Sequence, residues 1–589
     1  MAFTPLVYGN LIMKVTVPLQ IANQIASFGF SLMSLIMGIG VYPSIAQAPN
    51  PQGNPNQDRF PQSLPTLAPL PPESESQIKP IPTLESTDAA DDQRIQVAKI
   101  EVLGSTLFDL ATLNPIIQPL EGRAVTFKQL KKAADAITQL YLNQGYITSR
   151  AVLVDQKVTD GIIKIQVVEG GLEKIKIIGT KRLNPDYVRS RIALGAGKPL
   201  STTKLEEQLK ILRIDPLIAN LEASIQPGNG LGQSVLIVRV TEAKAFNGNL
   251  SIDNYFPPSI GSERLGITAN HRNLTGRGDE LGISYYFSTR GSANIYDFTY
   301  KIPLNAMNGT LQLRSSINNN QVIDPKFKAL NISGESELYE VSYRQPLVRS
   351  LREEFALSFS FSYQDGQTFT FAGPTPFGSG PDRQGNSRTR IFKIGQDYVR
   401  RDIKGYWAMR SLFSLGADIF NATIQPDPTP DGRFFSWLGQ VQRVQNLSPD
   451  HLLIAQAEVQ LSANALLGSQ QYIIGGGQSV RGYRQNARSG DNGIKFSLED
   501  RITLHRDASG NPMLQFTPFV DLGYIWNVDN NPNSLQPQHF LAGTGVGILF
   551  QPIPNLNLRI DYGVPLVNLK DKGTNAQDDG LYFSINYRL

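Results

Sequence analysis

The chain has 589 residues, 55 basic and 51 acidic side chains, and no cysteine. This length exceeds what one ordinary hydrophobic core supports, so two or more domains are expected. The balanced charge does not favour a nucleic acid partner. The lack of cysteine excludes thiolate chemistry, cysteine-ligated metals and disulfides.

The N-terminal residues have the pattern of a secretion signal. An apolar stretch covers residues 25–41, Lys14 is the only charge before it, and alanines flank Gln47 as at a signal-peptidase site. This stretch is shorter than the roughly 20 residues that a membrane-spanning helix needs. We therefore predict a signal peptide over residues 1–48. Residues 49–94 are rich in proline and poor in apolar side chains, which predicts an extended linker.

A first small α/β module is predicted over residues 95–170. Apolar side chains recur at helical spacing from Phe127 to Tyr141, with Thr126 as the expected N-cap and Gly145 after the expected end. Its strands are predicted near residues 96–104, 149–154 and 162–169. A module of this size can bury one modest core.

A second module, residues 171–243, repeats this plan. A short helix is predicted near residues 185–193, and a second helix is expected to begin at a capping box from Thr203 to Glu206. Its strands are predicted near residues 172–179, 219–226 and 234–241. The repeated order of elements indicates two copies of one architecture.

From residue 244 to residue 589 the pattern changes to strands alone. Residues 355–364 show it best, because large apolar side chains alternate with small or polar ones along the whole segment. Sixteen candidate strands lie near residues 248–254, 264–273, 279–289, 295–304, 309–319, 335–346, 352–364, 389–398, 404–416, 433–444, 451–462, 493–504, 513–526, 539–550, 555–564 and 580–589.

The lengths of these strands and of their connections favour a membrane barrel over a soluble sandwich. Many strands have about ten residues, the length of a tilted strand that crosses a bilayer. Short turns alternate with long loops, the longest near residues 365–388 and 463–492. The even strand count also suits closure, and lipid tolerates no open sheet edge. We therefore predict a closed, antiparallel, 16-stranded transmembrane β-barrel with lipid outside and water inside.

The predicted lumen carries charges of both signs. By strand parity, the inward side chains include Arg272, Lys301, Arg344, Arg410, Lys495, Arg501, Arg559, Arg588, Asp297, Glu340, Glu458, Glu499, Asp521 and Asp561. Such a mixture does not indicate a filter for ions of one sign. It suits either salt bridges to an internal plug or the passage of a polypeptide.

The loop after the eleventh strand and the thirteenth strand supply the candidate site residues. In the loop, three glycines permit a sharp reversal of the backbone before Val480, Arg481, Gly482 and Tyr483. On the strand, parity places Phe519, Asp521 and Gly523 on the lumenal face. If the loop folds inward, Arg481 can form a bidentate pair with Asp521 beside the space left by Gly523.

Both motifs, "VRGY" at 480–483 and "FVDLG" at 519–523, resemble those of the BamA-like superfamily of outer-membrane proteins. Residues 140–170 are similar to the first POTRA module of two-partner secretion transporters of the ShlB/FhaC/HecB type, and residues 251–266 are similar to that group's early barrel. The resemblance implies two periplasmic α+β POTRA modules before the barrel. It assigns Val480–Tyr483 the role of a loop tip in the lumen and Phe519, Asp521 and Gly523 that of its partner on the inner wall.

The resemblance implies a type V secretion transporter in the outer membrane of a diderm bacterium. The expected partners are a large, unfolded client with an N-terminal secretion domain, outer-membrane lipid, and the barrel-assembly machinery during insertion. Two alternatives stay open: a factor that inserts other β-barrels, and a passive solute porin, which has no need of the α/β modules.

Enzyme activity, a metal and a cofactor are not expected. The four histidines, His271, His451, His505 and His539, form no pair at ligand spacing. The glycine-rich "GTGVG" at 543–547 lies within a predicted strand that no helix follows. Packing of small residues in the wall is therefore a better explanation than a dinucleotide loop.

Overall fold

A computed structural model describes residues 94–156 and 158–589. The predicted signal peptide and the linker up to residue 93 lie outside these residues. The elements of the first module are β1 Arg94–Val97, β2 Lys99–Leu103, α1 Leu110–Ile117, β3 Arg123–Thr126, α2 Phe127–Asn143, β4 Arg150–Leu153 and β5 Ile162–Val168. The order in its three-stranded sheet is β2-β5-β4, with β2 parallel to β5.

Helix α2 confirms the predicted N-cap. The Thr126 hydroxyl accepts a hydrogen bond from the Gln129 backbone N–H, and the Gln129 side chain accepts one from the Thr126 N–H. The predicted apolar face is buried at Leu130, Ala134, Ile137 and Tyr141, whereas Phe127 stays exposed. The sequence reading missed α1, which is short and contains Pro115, and it merged β1 with β2.

The second module repeats the topology of the first module's three-stranded sheet, with β6 parallel to β8. Its elements are β6 Gly171–Ile178, α3 Pro185–Ala193, α4 Thr202–Arg213, β7 Ile218–Pro227 and β8 Gln233–Glu242, with sheet order β6-β8-β7. The predicted capping box at Thr203 is wrong, because Ser201 is the N-cap and accepts from the Lys204 N–H. The helix begins earlier since both the backbone N–H and the hydroxyl of Thr202 donate to the carbonyl of Gly145 in the first module.

Glu169 holds the loop after β2 in position through hydrogen bonds. Its carboxylate accepts hydrogen bonds from the Thr106 N–H and hydroxyl, at 2.7 and 2.6 Å, and from the Tyr141 hydroxyl at 2.8 Å. Burial raises the pKa of Tyr141 to about 12, so this hydroxyl keeps its proton. Burial alone would raise the pKa of Glu169, but the hydrogen bonds from Thr106 and Tyr141 outweigh it and hold that pKa below its ordinary value.

Glu169→Gln should therefore destabilise the first module at neutral pH by roughly 1–3 kcal/mol, the cost of leaving such groups without partners. A lowered folded-state pKa means that the stabilisation is present above the unfolded pKa and is lost as pH falls through the folded value. In thermal melts of the full chain, the variant's first transition should be lower at pH 7 and less sensitive to acid than that of the unmodified chain. Asp135→Asn, at an exposed position of α2, is the control. Equal acid sensitivity in both variants would contradict the assignment.

The remaining strands belong to the barrel and its loops. They are β9 Phe246–Asp253, β10 Arg264–Arg272, β11 Glu280–Ser288, β12 Ala293–Pro303, β13 Thr310–Gln321, β14 Ser333–Arg349, β15 Glu353–Thr370, β16 Gly373–Pro374, β17 Asn386–Asp402, β18 Gly405–Gly416, β19 Phe434–Ser448, β20 His451–Ser462, β21 Tyr472–Ile474, β22 Arg488–Gly490, β23 Asn492–Arg506, β24 Pro512–Trp526, β25 Phe540–Ile553, β26 Leu556–Pro565 and β27 Leu581–Arg588. The two-residue β16 extends a loop, and β21 pairs with β22 in a hairpin.

The other sixteen strands form the closed antiparallel barrel that the sequence predicts. Neighbours in sequence pair around the wall, and β27 pairs with β9 to close it. The alternation in residues 355–364 has the expected orientation, because Phe359 is 52% exposed whereas Ser362 is 1% exposed. Of the described residues, none belongs to a helix that is long and apolar enough to span a membrane.

The second module contacts the barrel at two short turns. The Asn184 N–H donates to the Gly276 carbonyl at 2.8 Å, and the buried Arg191 donates to the Asn308 side chain at 3.0 Å. A Cβ at Gly278 would lie 2.3 Å from the Tyr187 ring, so the turn approaches the module closely. The short turns thus lie at the module end of the barrel and the long loops at the opposite end.

Candidate functional site

The loop between β20 and β23, residues 463–491, folds into the barrel lumen. The hairpin of β21 and β22 forms its base, and Gly475 and Gly476 have φ values of +102° and +108°, a region that favours glycine. A Cβ at Gly475 would lie 2.8 Å from the Arg484 carbonyl, so the chain doubles back tightly here. The reversal carries the tip residues to the inner faces of strands β24 to β27.

Arg481 makes three kinds of contact with the wall. Its Nε lies 2.6 Å from Asp521 Oδ2, its Nη2 lies 2.9 Å from Oδ1, and its backbone N–H also donates to this carboxylate. Its Nη1 donates to Glu499 Oε2 at 2.7 Å. The guanidinium carbon lies 3.4 Å from the centroid of the Phe519 ring. Arg481 is 4% exposed and Asp521 is 0% exposed, so this bidentate pair is shielded from water.

Six charged groups share this part of the lumen. Glu499 accepts from Arg501 Nε at 2.9 Å and from Arg559 Nη2 at 2.7 Å, and Arg559 Nη2 also lies 2.9 Å from Asp561 Oδ1. With Arg481 and Asp521 the cluster has three guanidinium groups and three carboxylates. Its formal charges therefore cancel only while Arg481 is in place, a state in which each buried charge has a partner.

Val480 packs into the space that Gly523 leaves. Val480 is fully buried, and a Cβ at position 523 would lie 2.9 Å from its Cγ2 and 3.1 Å from Ile474 Cδ1. Ile525 and Leu541 belong to the same apolar cluster on the wall. The loop is thus held by apolar packing as well as by charge.

Gly482 and Tyr483 attach the loop to the last strands. The Gly482 N–H donates to the Tyr582 hydroxyl at 2.9 Å, and this hydroxyl donates to the Tyr483 carbonyl at 2.6 Å. The Tyr483 hydroxyl donates to the Ala542 carbonyl at 2.7 Å. Gly482 has φ +102°, and a Cβ there would lie 2.9 Å from the Pro565 nitrogen. Only glycine combines this conformation with this approach to the wall.

Glycines in the wall give the loop backbone its space. A Cβ at Gly543 would lie 1.8 Å from the Arg481 carbonyl oxygen, and one at Gly563 would lie 2.5 Å from the Gly482 nitrogen. A Cβ at Gly545 would lie 2.7 Å from Phe519 Cζ. The "GTGVG" segment is therefore confirmed as small-residue packing in the wall.

Beyond the tip, two arginines bind the last long loop, residues 566–580. Arg484 forms a bidentate pair with Asp578 at 2.7 and 2.8 Å. Arg488 pairs with Asp571 at 2.8 and 3.0 Å, and these hydrogen bonds lower the pKa of Asp571. The loop 463–491 therefore contacts strands β23 to β27 and a second loop.

All seven residues singled out in the sequence thus lie at one contact between loop and wall. Parity had placed Glu499, Arg501, Arg559 and Asp561 on the lumenal face, but nothing in the sequence joined them to Arg481. Tyr582 was missed altogether. Among the described residues, no group of three histidine, aspartate or glutamate side chains has an arrangement that could hold a metal ion.

Comparison with known families decides the identity of the chain. Residues 232–550, more than half of it, match the family described as "Haemolysin secretion/activation protein ShlB/FhaC/HecB", and residues 95–170 match the ShlB-type POTRA domain. The chain belongs to the ShlB/FhaC/HecB family. As a member of this family it is an outer-membrane transporter of two-partner secretion, with its POTRA region in the periplasm. The module end of the barrel is therefore periplasmic, and the long loops are extracellular.

Individual relatives are distant but span most of the chain. The heme/hemopexin transporter protein HuxB of Haemophilus influenzae (strain 86-028NP) is 23% identical over 82% of this chain and 86% of its own length. The outer membrane transporter CdiB of Dickeya dadantii (strain 3937) is 24% identical over 69% and 72%. The structure of CdiB from Escherichia coli matches with a TM-score of 0.65 at 21% identity, over 86% of this chain and 93% of that one. At this identity the structural match shows the fold alone.

Proposed function

We propose that this transporter exports one large client through its barrel in an unfolded state, and that the loop 463–491 must leave its seat for the client to pass. The client would carry an N-terminal secretion domain. Among the relatives, HuxB is named a heme/hemopexin transporter protein and ShlB of Serratia marcescens a hemolysin transporter protein.

The observation that carries the proposal is the charge balance around Arg481. With the loop seated, three guanidinium groups face three carboxylates in a buried cluster. When the loop leaves, Arg481 departs and Asp521 keeps, among the described side chains, only the Ser497 hydroxyl at 2.6 Å. An unpaired buried charge is costly, so the seated loop is strongly preferred until something replaces Arg481 or water enters. A lumen closed in this way suits gated export better than passive diffusion of solutes.

The periplasmic modules are proposed to be two POTRA domains that capture the client. Residues 171–243 repeat the strand order of the matched first domain, which supports a second copy. The outer strands of the two sheets are β2 and β4, and β6 and β7. Strand addition to such an edge binds an extended polypeptide through its backbone and tolerates many sequences. Within this proposal the chain has no catalytic residue, needs no cofactor, and relies on the barrel-assembly machinery for its own insertion into outer-membrane lipid.

A disulfide that locks the loop to the wall tests the proposal. Cysteines at Val480 and Gly523 suit a disulfide, since a Cβ at 523 would lie 2.9 Å from Val480 Cγ2, and the chain has no other thiol. Cells producing the transporter with its candidate client, a secreted protein encoded beside it, should stop exporting the client on oxidation and resume on reduction.

The matched control is a cysteine pair at Ile473 and Ser489, which face each other in the β21–β22 hairpin. That disulfide crosslinks the loop to itself and leaves it free of the wall, so export should continue. Normal export with the 480–523 disulfide fully formed would overturn the proposal.

A further inference from the structure

The barrel closes through a short pairing, which we call the β9–β27 seam. It joins five residue pairs, from Asp253 and Ser584 to Asn249 and Arg588. The β26–β27 pairing beside it joins seven and the β9–β10 pairing eight, and no other neighbouring wall strands in the described barrel share as few as five. Backbone hydrogen bonds alone therefore hold this junction less firmly than the rest of the wall.

At the extracellular end of the seam, the side chain of Asn254 takes over where the strand pairing stops. Its Nδ2 donates to the Leu581 carbonyl at 2.9 Å, and its Oδ1 accepts from the Phe583 N–H at 2.9 Å. Asn254 is 1% exposed. An amide side chain has the donor and acceptor of a peptide group, so Asn254 extends the seam by about one step of a ladder.

Gln577, in the last extracellular loop, connects this end of the seam to the lumenal loop. Its Oε1 accepts from the Gln485 N–H at 2.8 Å, and its Nε2 donates to the carbonyls of Asn254 and Phe256. Gln577 is 0% exposed. One carboxamide thus binds the loop through its acceptor and the β9 end of the seam through its donors.

Each of the two segments that Gln577 connects has further contacts with the wall. On the seam side, Arg264 and Asp253 form a buried ion pair at 2.6 Å, and Asp253 also accepts from the Tyr255 N–H, which sets the path of the chain after β9. On the loop side, the Tyr582 hydroxyl binds Gly482 and Tyr483 next to Gln485. Gln577 therefore lies between two anchored segments, and its hydrogen bonds depend on the distance between them.

We propose that Gln577 and Asn254 are positioning residues that couple the seat of the lumenal loop to closure of the β9–β27 seam. While the loop is seated, the Gln485 N–H holds the Gln577 carboxamide in the orientation that binds Asn254 and Phe256. When the loop leaves, Gln577 loses this partner and the extracellular end of the seam loosens. This inference rests on the proposed departure of the loop during transport.

The test uses a cysteine pair across the seam in the full chain, reconstituted in lipid vesicles without client. Ile252 and Ile585 face each other and point outward, at a separation suited to a disulfide. Arg481→Ala, which releases the loop, should slow formation of the 252–585 disulfide about five-fold, the factor expected for loss of one net hydrogen bond. With Gln577→Glu, which replaces the two amide donors by an acceptor, the disulfide should form slowly whether or not Arg481 is present.

A merely structural role for Gln577 predicts something else, namely that Arg481→Ala slows the reaction by the same factor with either residue at 577. That result, or a seam that does not respond to Arg481→Ala at all, overturns the inference. Gln551→Glu, at an amide that donates to the Pro554 carbonyl in a periplasmic turn, is the matched control and should leave the response intact. If Gln577→Glu lowers barrel yield, Gln577→Asn supplies the same comparison with both donors kept but out of reach. The seam response is measured without client, so it does not depend on export. A normal seam response together with a failed disulfide-lock test would contradict the proposed function and leave this inference standing.

Discussion

Arg481→Ala should release the lumenal loop while the barrel stays assembled. The substitution removes the partner of Asp521, which is fully buried, and leaves two guanidinium groups against three carboxylates. Breaking one side of a buried ion pair costs about 3–5 kcal/mol, so the ratio of seated to released loop should fall by roughly a hundred-fold or more. Asp521→Ala should have a similar effect, since it removes two of the three side-chain hydrogen bonds of Arg481 and leaves three guanidinium groups against two carboxylates.

The double variant, Arg481→Ala with Asp521→Ala, should be little worse than the worse single variant. Both changes break one contact, and without both groups the cluster again balances, with two guanidinium groups against two carboxylates. If the effect of the double variant equals the sum of the two single effects, Arg481 and Asp521 do not act through one shared contact.

Loop release can be measured with one reporter thiol. Ser479 is buried beside the tip, and the chain has no native cysteine, so Ser479→Cys should react with a water-soluble maleimide only when the loop leaves the wall. Export of the client and the heat-modifiable mobility of the barrel complete the measurement. Arg506→Ala is the control, because Arg506 and Asp450 form an exposed pair at the periplasmic rim worth about 0–1 kcal/mol.

The difference between what the sequence predicted and what it missed follows from the range of the interactions. The sixteen wall strands could be predicted from local patterns, because lipid on one side and water on the other impose alternation on every strand. Parity likewise orients each charge. Parity does not give the distance between residues on different strands. The contact of Glu499 on β23 with Arg481, and the place of Asp561 on β26 in the same cluster, could therefore not be predicted from the sequence.

Other features had no sequence signal. The Tyr582 hydroxyl binds the Gly482 N–H across about a hundred residues, and a tyrosine in a barrel strand is ordinary in itself. At the start of α4, both Ser201 and Thr203 suit an N-cap. The choice between them depends on the bond from Thr202 to Gly145 in the other module, which is a tertiary contact.

Gly543→Ala should expel the same loop by a steric route. The Cβ would lie 1.8 Å from the Arg481 carbonyl oxygen, which cannot retreat without breaking the Arg481 contacts with Asp521. The wall itself tolerates the change, since the new Cβ would lie 3.7 Å from the Val564 carbonyl oxygen, its nearest wall contact, and strands accept alanine. Overpacking of this kind costs about 1–3 kcal/mol, so labelling of the reporter thiol at position 479 should rise roughly ten-fold.

The control for this substitution is Gly366→Ala in β15. Its nearest neighbour would be the Ser387 carbonyl oxygen at 3.7 Å, an ordinary contact, so labelling and export should not change. Unchanged labelling in Gly543→Ala would mean that the loop backbone does not rest against β25. The two routes should also converge: once Arg481→Ala has released the loop, the extra Cβ at 543 meets no carbonyl, and the combined variant should label no faster than Arg481→Ala alone. Faster labelling in the combined variant would show that charge and packing hold the loop in two separate seats rather than one.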